Sequence, residues 1–344
     1  MDIVLPTFFL SIFGLINLFG INQSLFWRQL INIFLAFIVF FAIKKLSFNF
    51  FKVNSRFFYF LFLGLLIISF IIGIEVKGSK RWIDFYFFRF QSSEFLKPFF
   101  ILFLSDFLTS KKIFENHLLV LFKAFTYFFI PFIIVFKQPD LANSITFLVI
   151  FVVLIIFSKI PKKYLFYFLI IALISLPLGF FLLKPYQKAR ISAFFDPHYD
   201  TQGSSYNIIQ SIITIGSGQF LGKGLGLGSQ SKLYFLPENT TDFAFASLVE
   251  QFGFLGGFSV IVFYIILIYF LLKKTFNYFF SKNEEDNIKF LFTLGVTSYI
   301  VFQFFVNVGM NMGIFPVAGV ALPFISYGGS SIMAITISLA MLPR

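Results

Sequence analysis

The sequence predicts an all-α polytopic membrane protein with about ten transmembrane helices and one large extracytoplasmic loop between the seventh and eighth. Three observations lead to it. The 344 residues are 58% hydrophobic, with a mean hydropathy of +0.90, more apolar surface than a soluble fold of this size can hide. The apolar residues come in continuous runs and lack the alternation of a membrane β-barrel. The basic residues, which give a formal net charge of +12, stand in short clusters between those runs. Positive loops beside an anionic membrane account for them more simply than nucleic acid does.

Composition narrows the chemistry as well. The chain has no cysteine and only His117 and His198 as imidazoles, which argues against disulfides, thiolate catalysis and a zinc site. Its 61 phenylalanines are spread over every segment, a lipid-compatible filler that marks no position. No cleavable leader is expected, because Met1-Asp2 lacks a basic n-region. The whole chain, residues 1–344, reads as one integral membrane domain.

Apolar segments fall at 3–20, 29–43, 57–74, 92–108, 117–136, 141–157, 164–183, 243–272, 288–312 and 316–342. Setting aside the long 184–242 loop, one set of alternate connections collects fourteen Lys and Arg, the other six. This predicts both termini in the cytoplasm and the long loop outside.

Four of the external basic residues, Lys77, Lys80, Arg81 and Arg89, belong to one connection, which also carries Trp82. Interfacial anchoring explains them, and so does a cationic rim for a phosphorylated lipid. The next helix opens Gln91-Ser92-Ser93-Glu94, with Lys97 three residues beyond Glu94 on the same face. These two form either a mutually neutralised structural pair or a functional one facing a cavity. Lys137-Gln138-Pro139-Asp140 reads as a tight external turn whose acid suits a helix N-terminus.

In the long loop, Ile208, Ile209, Ile212, Ile213 and Ile215 recur at helical spacing around Gln210 and Ser211. This predicts a short amphipathic helix on or in the outer leaflet. The glycine-rich run from Gly216 to Gly228 fails the phosphate-loop test, since Gly224 follows Lys223 where Ser or Thr is needed, and it fails the dinucleotide pattern too. A flexible backbone close to a bulky ligand remains a reading of it. Thr240 or Thr241 suits an N-cap and Asp242 the first turn of the following helix. Gln303, Asn307 and Asn311 share one helix face, for interhelical hydrogen bonds or as the wall of a polar groove. Gly253 and Gly257, like Gly309 and Gly313, have the spacing of close helix packing. Pro316, Pro323 and Gly328-Gly329 interrupt the last segment.

Taken together, Arg81-Trp82-Ile83, Gln91-Ser92-Ser93-Glu94 with Lys97, Gln138-Pro139-Asp140, Tyr186-Gln187 with Arg190, Asp196-Pro197, Gln210-Ser211, Gly222-Lys223-Gly224, Pro237-Glu238 with Thr241-Asp242-Phe243, and Pro323-Phe324-Ile325-Ser326-Tyr327-Gly328-Gly329-Ser330-Ser331 resemble the SEDS family of RodA and FtsW. The match runs in order along nearly the whole chain. Tyr186-Gln187 and Phe235 to Glu238 are more like the RodA branch. The chain departs from the family pattern at Ser92, where proline is usual, and at Asn143, where glycine is usual, and neither position is expected to touch a required group.

The resemblance implies ten transmembrane helices and a peptidoglycan glycosyltransferase that polymerises lipid II during cell-wall elongation and shape maintenance. It implies a class B penicillin-binding protein as partner, lipid II and undecaprenyl-linked glycan as ligands, and a bacterial cytoplasmic-membrane location with an extracytoplasmic active site. It makes Asp242 the essential acid and Arg81, Arg89, Glu94 and Lys97 site residues; Gln210, Ser211, Lys223, Glu238 and Thr241, in the matching motifs, complete the expected substrate-binding set. An inverting transfer calls for a carboxylate base and for cations on the leaving diphosphate. A divalent cation, Mg or Mn, fits there, and no organic cofactor is expected. A lipid II flippase and a non-catalytic scaffold are the competing functions.

Overall fold

Length and capping chemistry set most of the helix boundaries. In this computed structural model the described residues are 2–76, 79–85, 89–110, 116–164, 204–281 and 283–343, with isolated positions between 166 and 194. In chain order the helices begin with α1 (Val4–Ile21), α2 (Gln23–Lys45), α3 (Phe48–Val53) and α4 (Ser55–Ile72). Three short strands follow, β1 (Ile74–Val76), β2 (Ser79–Asp84) and β3 (Arg89–Gln91). Then come α5 (Ser92–Phe107), α6 (His117–Lys137), α7 (Leu141–Ile156), α8 (Ser204–Ser217), α9 (Ser229–Lys232), α10 (Ala244–Phe279), α11 (Glu284–Asn311) and α12 (Gly329–Ala340). Six of the described helices, α1, α2, α4, α6, α10 and α11, are long and apolar enough to cross a membrane, and α7 and α12 are shorter apolar helices. Most of the expected seventh span, 164–183, lies outside the described residues, as do Tyr186, Gln187, Arg190, Asp196 and Pro197.

Local signals explain the starts. The Asn22 side-chain oxygen takes the amides of Ser24 (3.0 Å) and Leu25 (3.3 Å), so α2 begins six residues before the expected position. Ser47, Asn116 and Asp140 cap α3, α6 and α7 in the same way. Two expectations change. The connection after α4 is an antiparallel ribbon of order β1-β2-β3, a small departure from an all-helical chain. It is stabilised by opposite charges placed across the strands at Glu75 and Lys80 and at Asp84 and Arg89. The last segment becomes helical only at Gly329, because residues 312–328 run as turns and extended backbone.

The chain divides into two compact units, 1–31 with 166–267 and 303–328, and 32–165 with 268–302 and 329–344. In the first, Ile208, Leu236, Phe243, Ala246, Met310 and Val317 form a buried cluster. The irregular 316–328 stretch lies against α1 at Gly14, where a Cβ would come within 2.6 Å of the Phe324 carbonyl oxygen. In the second unit α5 is the centre, buried at every residue from Ser92 to Ser105. Phenylalanine does the packing there: Phe62 stacks on Phe99 with centroids 4.5 Å apart, Tyr59 on Phe103 at 4.4 Å and Phe128 on Phe151 at 4.4 Å. A helix sheathed in this way can carry charged residues that a lipid-facing helix could not.

Candidate functional site

Asp242 lies in a turn, not in a helix. Residues 237–243 are turns and α10 starts at Ala244, which corrects the expected first-turn placement. The turn closes on Glu238, whose carbonyl accepts the amides of Thr241 and Phe243, both at 3.1 Å. Glu238 adopts φ 51°, a left-handed conformation that is costly for a residue with a Cβ. Its carboxylate accepts the Thr241 hydroxyl at 3.1 Å.

Neutral donors clamp this turn from two sides. Asn307 and Asn311 of α11 donate their side-chain amides to the Asp242 carbonyl at 2.9 and 3.0 Å. From the irregular stretch, the Ser326 hydroxyl donates to the Thr241 carbonyl at 2.6 Å and the Tyr327 amide to the Thr240 carbonyl at 2.8 Å. Asn311 Oδ1 also accepts the Ala246 amide at 2.9 Å, so a side chain from α11 takes an amide at the start of α10. On the polar stripe of α11, Asn311 therefore makes an interhelical hydrogen bond, while Asn307 bonds the Asp242 turn and the Val320 carbonyl of the irregular stretch. Gln303, the third member, keeps a buried Oε1 with no partner among the described residues.

A second support comes from Glu250, a fully buried carboxylate that the sequence reading passed over. Its oxygens accept the Gln230 amide (2.9 Å), the Ser231 amide (2.9 Å) and the Ser231 hydroxyl (2.6 Å), and Lys223 Nζ lies 3.4 Å away. Asn239, inside the Asp242 turn, donates to the Ser231 carbonyl. The glycine run belongs to the same construction. A Cβ on Gly222 would lie 2.2 Å from the Gln251 carbonyl oxygen, and Gly253, at φ 67°, breaks α10 beside it. These glycines permit backbone-to-backbone contact; the expected ligand-facing flexible loop is here a packed one, and Gly253 breaks a helix where tight helix packing was expected. Ser211 donates to the Asn311 carbonyl at 2.8 Å, whereas Gln210 has a buried Oε1 with no partner among the described residues, a place for a ligand donor.

The remaining predicted residues meet in the second unit. Lys97, 0% exposed, donates to Asn143 at 2.7 Å, pairs with Glu94 at 2.8 Å and lies 4.6 Å from the ring centroid of Tyr299. The Tyr299 hydroxyl donates to Glu94 at 3.4 Å. Asp140 is the hub. One of its oxygens takes the Asn143 amide at 3.2 Å, which caps α7. The other receives Arg81 (3.2 Å), Gln91 (3.0 Å) and the Asn143 side chain (2.9 Å). The turn reading of Asp140 accounted only for the cap. Asn143, expected to touch nothing essential, in fact bridges Asp140 and Lys97. Arg89 is more exposed and lies 3.7 Å from Asp84. Arg81 is half-buried, sits 4.7 Å over the Trp82 ring, and its Nε is buried without a partner among the described residues.

Comparison with known proteins places this architecture. A family model for the FtsW, RodA and SpoVE proteins, described as "Cell cycle protein", matches residues 4–344. A Wigglesworthia glossinidia brevipalpis protein named "Probable peptidoglycan glycosyltransferase FtsW" is 36% identical over 325 residues, covering 92% of this chain and 82% of its own length. A protein of the same name from Pseudoalteromonas translucida is 34% identical over 334 residues, covering 97% and 81%. Two solved structures share the fold. A chain from "Structural coordination of polymerization and crosslinking by a peptidoglycan synthase complex" has a TM-score of 0.82 at 24% identity and covers 99% of this chain and 95% of its own. The Thermus thermophilus rod shape determining protein RodA has a TM-score of 0.71 at 21% identity, covering 99% and 94%. With its apolar helices and this match from end to end, the chain belongs to the FtsW, RodA and SpoVE family of multi-pass bacterial membrane proteins.

Proposed function

We propose that this protein is a peptidoglycan glycosyltransferase that polymerises lipid II, with Asp242 as the general base. The hydroxyl of one sugar attacks the anomeric carbon of another and its proton passes to the Asp242 carboxylate. The bond from that carbon to the polyprenyl diphosphate breaks, and the electron pair leaves with the diphosphate, inverting the centre. A base near the hydroxyl contributes roughly 10²- to 10⁴-fold. The observation that carries the reading is the clamp on the Asp242 turn: four donors hold its backbone, while Asn311 takes over a capping task at the start of α10. A precisely held acid is what proton transfer requires.

Arg81 and Arg89 are the cations assigned to diphosphate oxygens, since their side chains are 24% and 63% exposed and a guanidinium binds phosphate in pairs of hydrogen bonds. Glu94 and Lys97 support Arg81 through Asp140. Gln210 is assigned to a substrate polar group through its unpartnered oxygen. Ser211 and Lys223, whose polar atoms are already engaged by Asn311 and Glu250, support the substrate-binding segment, and Thr241 positions Glu238. Among the described residues no three acidic or imidazole side chains cluster, so a divalent cation would rest chiefly on diphosphate oxygens, where it would neutralise the leaving charge. The long loop lies outside the cell and both termini inside, as the charge bias supports. The partner is a class B penicillin-binding protein, in keeping with the solved synthase complex of the same fold. The FtsW names of the relatives weigh toward division, against the RodA-like Tyr186-Gln187 pair.

The test is polymerisation of lipid II by the protein with its penicillin-binding partner. Glycan strands should form and disappear with Asp242→Asn. Polymer at an unchanged rate in that variant would sink the assignment, and lipid scrambling without any polymer would turn the reading to a flippase.

A further inference from the structure

The glycine run carries apolar side chains that neither the fold nor the reaction uses. Phe220 is 60% exposed, Leu221 74% and Leu227 70%, although the backbone beneath them is tightly held. Helix α10 supplies a depth gauge. Beyond the break at Gly253 its unbroken part, 254–279, makes about 39 Å of helix, more than the ~30 Å of a bilayer core. The stretch 254–272 contains no charged residue and Lys273 follows it; its length of about 28 Å matches the core. Glu250 and Gln251 lie just beyond that stretch, and Gly253 marks its edge.

The run is bonded to that edge. The amides of Phe254 and Leu255 donate to the Gln219 and Phe220 carbonyls at 2.8 and 3.3 Å. Phe220 stacks on Phe254 with centroids 5.9 Å apart, and Phe254 on Phe258 at 5.7 Å. Phe254 and Phe258 are themselves 55% and 52% exposed on the membrane-spanning stretch, so Phe220 continues a lipid-facing strip. A second span marks the same level independently: Gly226 packs on Gly20, one residue before α1 ends, where a Cβ on Gly226 would be 3.2 Å from the Gly20 carbonyl oxygen. Lys223 in the run and Lys232 just beyond it are exposed, but their ammonium groups are engaged, Lys223 by Glu250 and Ser229 and Lys232 by the Gly226 carbonyl at 3.0 Å. Phe220, Leu221 and Leu227 stand out further than Lys223, whose side chain is 33% exposed, and such a surface suits acyl chains better than an acidic protein partner.

We infer that residues 220–227 form a membrane anchor, in which Phe220, Leu221 and Leu227 insert into the acyl boundary of the adjacent leaflet. Through Glu250, Ser231 and Asn239, this anchor ties the Asp242 turn to the lipid surface. The inference stands apart from the glycosyltransferase reading, since it concerns lipid contact and not chemistry.

The absence of cysteine makes the test direct. Leu221→Cys and Leu227→Cys variants of the full chain, labelled with an environment-sensitive fluorophore, are reconstituted alone in phosphatidylethanolamine–phosphatidylglycerol vesicles. Phe258→Cys is the lipid-facing reference and Asn283→Cys the water-facing one. Both loop labels should show blue-shifted emission, quenching by lipids with a nitroxide near the carbonyl end of the acyl chain, and protection from aqueous iodide. Iodide quenching of either label as strong as at Asn283→Cys overturns the inference. So does protection that arises only after another protein is added, which would make the surface a protein interface.

Discussion

Around Asp242 the holding groups are neutral and act on the backbone, Asn307, Asn311 and Ser326 donating to the carbonyls of Thr241 and Asp242. Around Lys97 they are charged and act on one another: Lys97 pairs with Glu94, Arg81 pairs with Asp140, and Asn143 links the two pairs. The first arrangement fixes the backbone from which a carboxylate is presented. The second spends its charges internally, which lowers the cost of burying Lys97 but makes each member depend on its neighbours. Position is built from amides, and electrostatic balance from ions.

The sharpest way to break this contrast is Asp242→Asn. Polymerisation should fall by roughly 10²- to 10⁴-fold, with the unfolding midpoint in detergent unchanged, because the clamp grips the backbone. A variant that loses both activity and stability would show the carboxylate to be structural. The network should behave in the opposite way. Lys97→Met leaves Glu94 buried and unpaired and should cost about 3–5 kcal/mol of stability. Glu94→Gln combined with Lys97→Met should recover much of that loss in a double-mutant cycle; simple additivity would refute the coupling.

A smaller effect separates cap from clamp. Asn311→Ala removes both, and buried groups left unsatisfied should cost about 1–3 kcal/mol. Asn311→Asp keeps an acceptor for the Ala246 amide yet cannot donate to the Asp242 carbonyl. It should retain more of the stability while kcat stays low and KM is little changed; equal recovery of both would leave the clamp without a role in positioning. The smallest effect belongs to Arg89→Ala. An exposed pair such as Arg89 with Asp84 contributes at most about 1 kcal/mol, so the melting curve should hardly move, while KM for lipid II should rise most at low salt.

Much of the fold was legible in sequence because membrane insertion depends on local quantities. An apolar run of bilayer length forms a span wherever it occurs, and short-range caps such as Asn116 and Asp140 announce helix starts from the residues beside them. The site was legible only in outline. Asp242, Glu94 and Lys97 stood out through their motifs, but nothing nearby in sequence marked Glu250 or the second role of Asp140. Gln91 meets Asp140 49 residues away, and Ser326 meets Thr241 85 residues away. Glycine spacing misled for the same reason, since close approach in helix packing and close approach of a loop to a broken helix demand the same missing Cβ.

By itself, then, the sequence determined the class, most of the spans and the acid at the centre of the proposed reaction, because hydropathy and motif are properties of contiguous residues. Only the tertiary structure decided that Asp242 stands outside its helix, that Lys97 is matched by Glu94 and Asn143, and that the glycine run packs against the break in α10. Those outcomes depend on which distant donor reaches which acceptor, and hydrogen bonds and ion pairs of a few ångströms are set by the folded path of the chain.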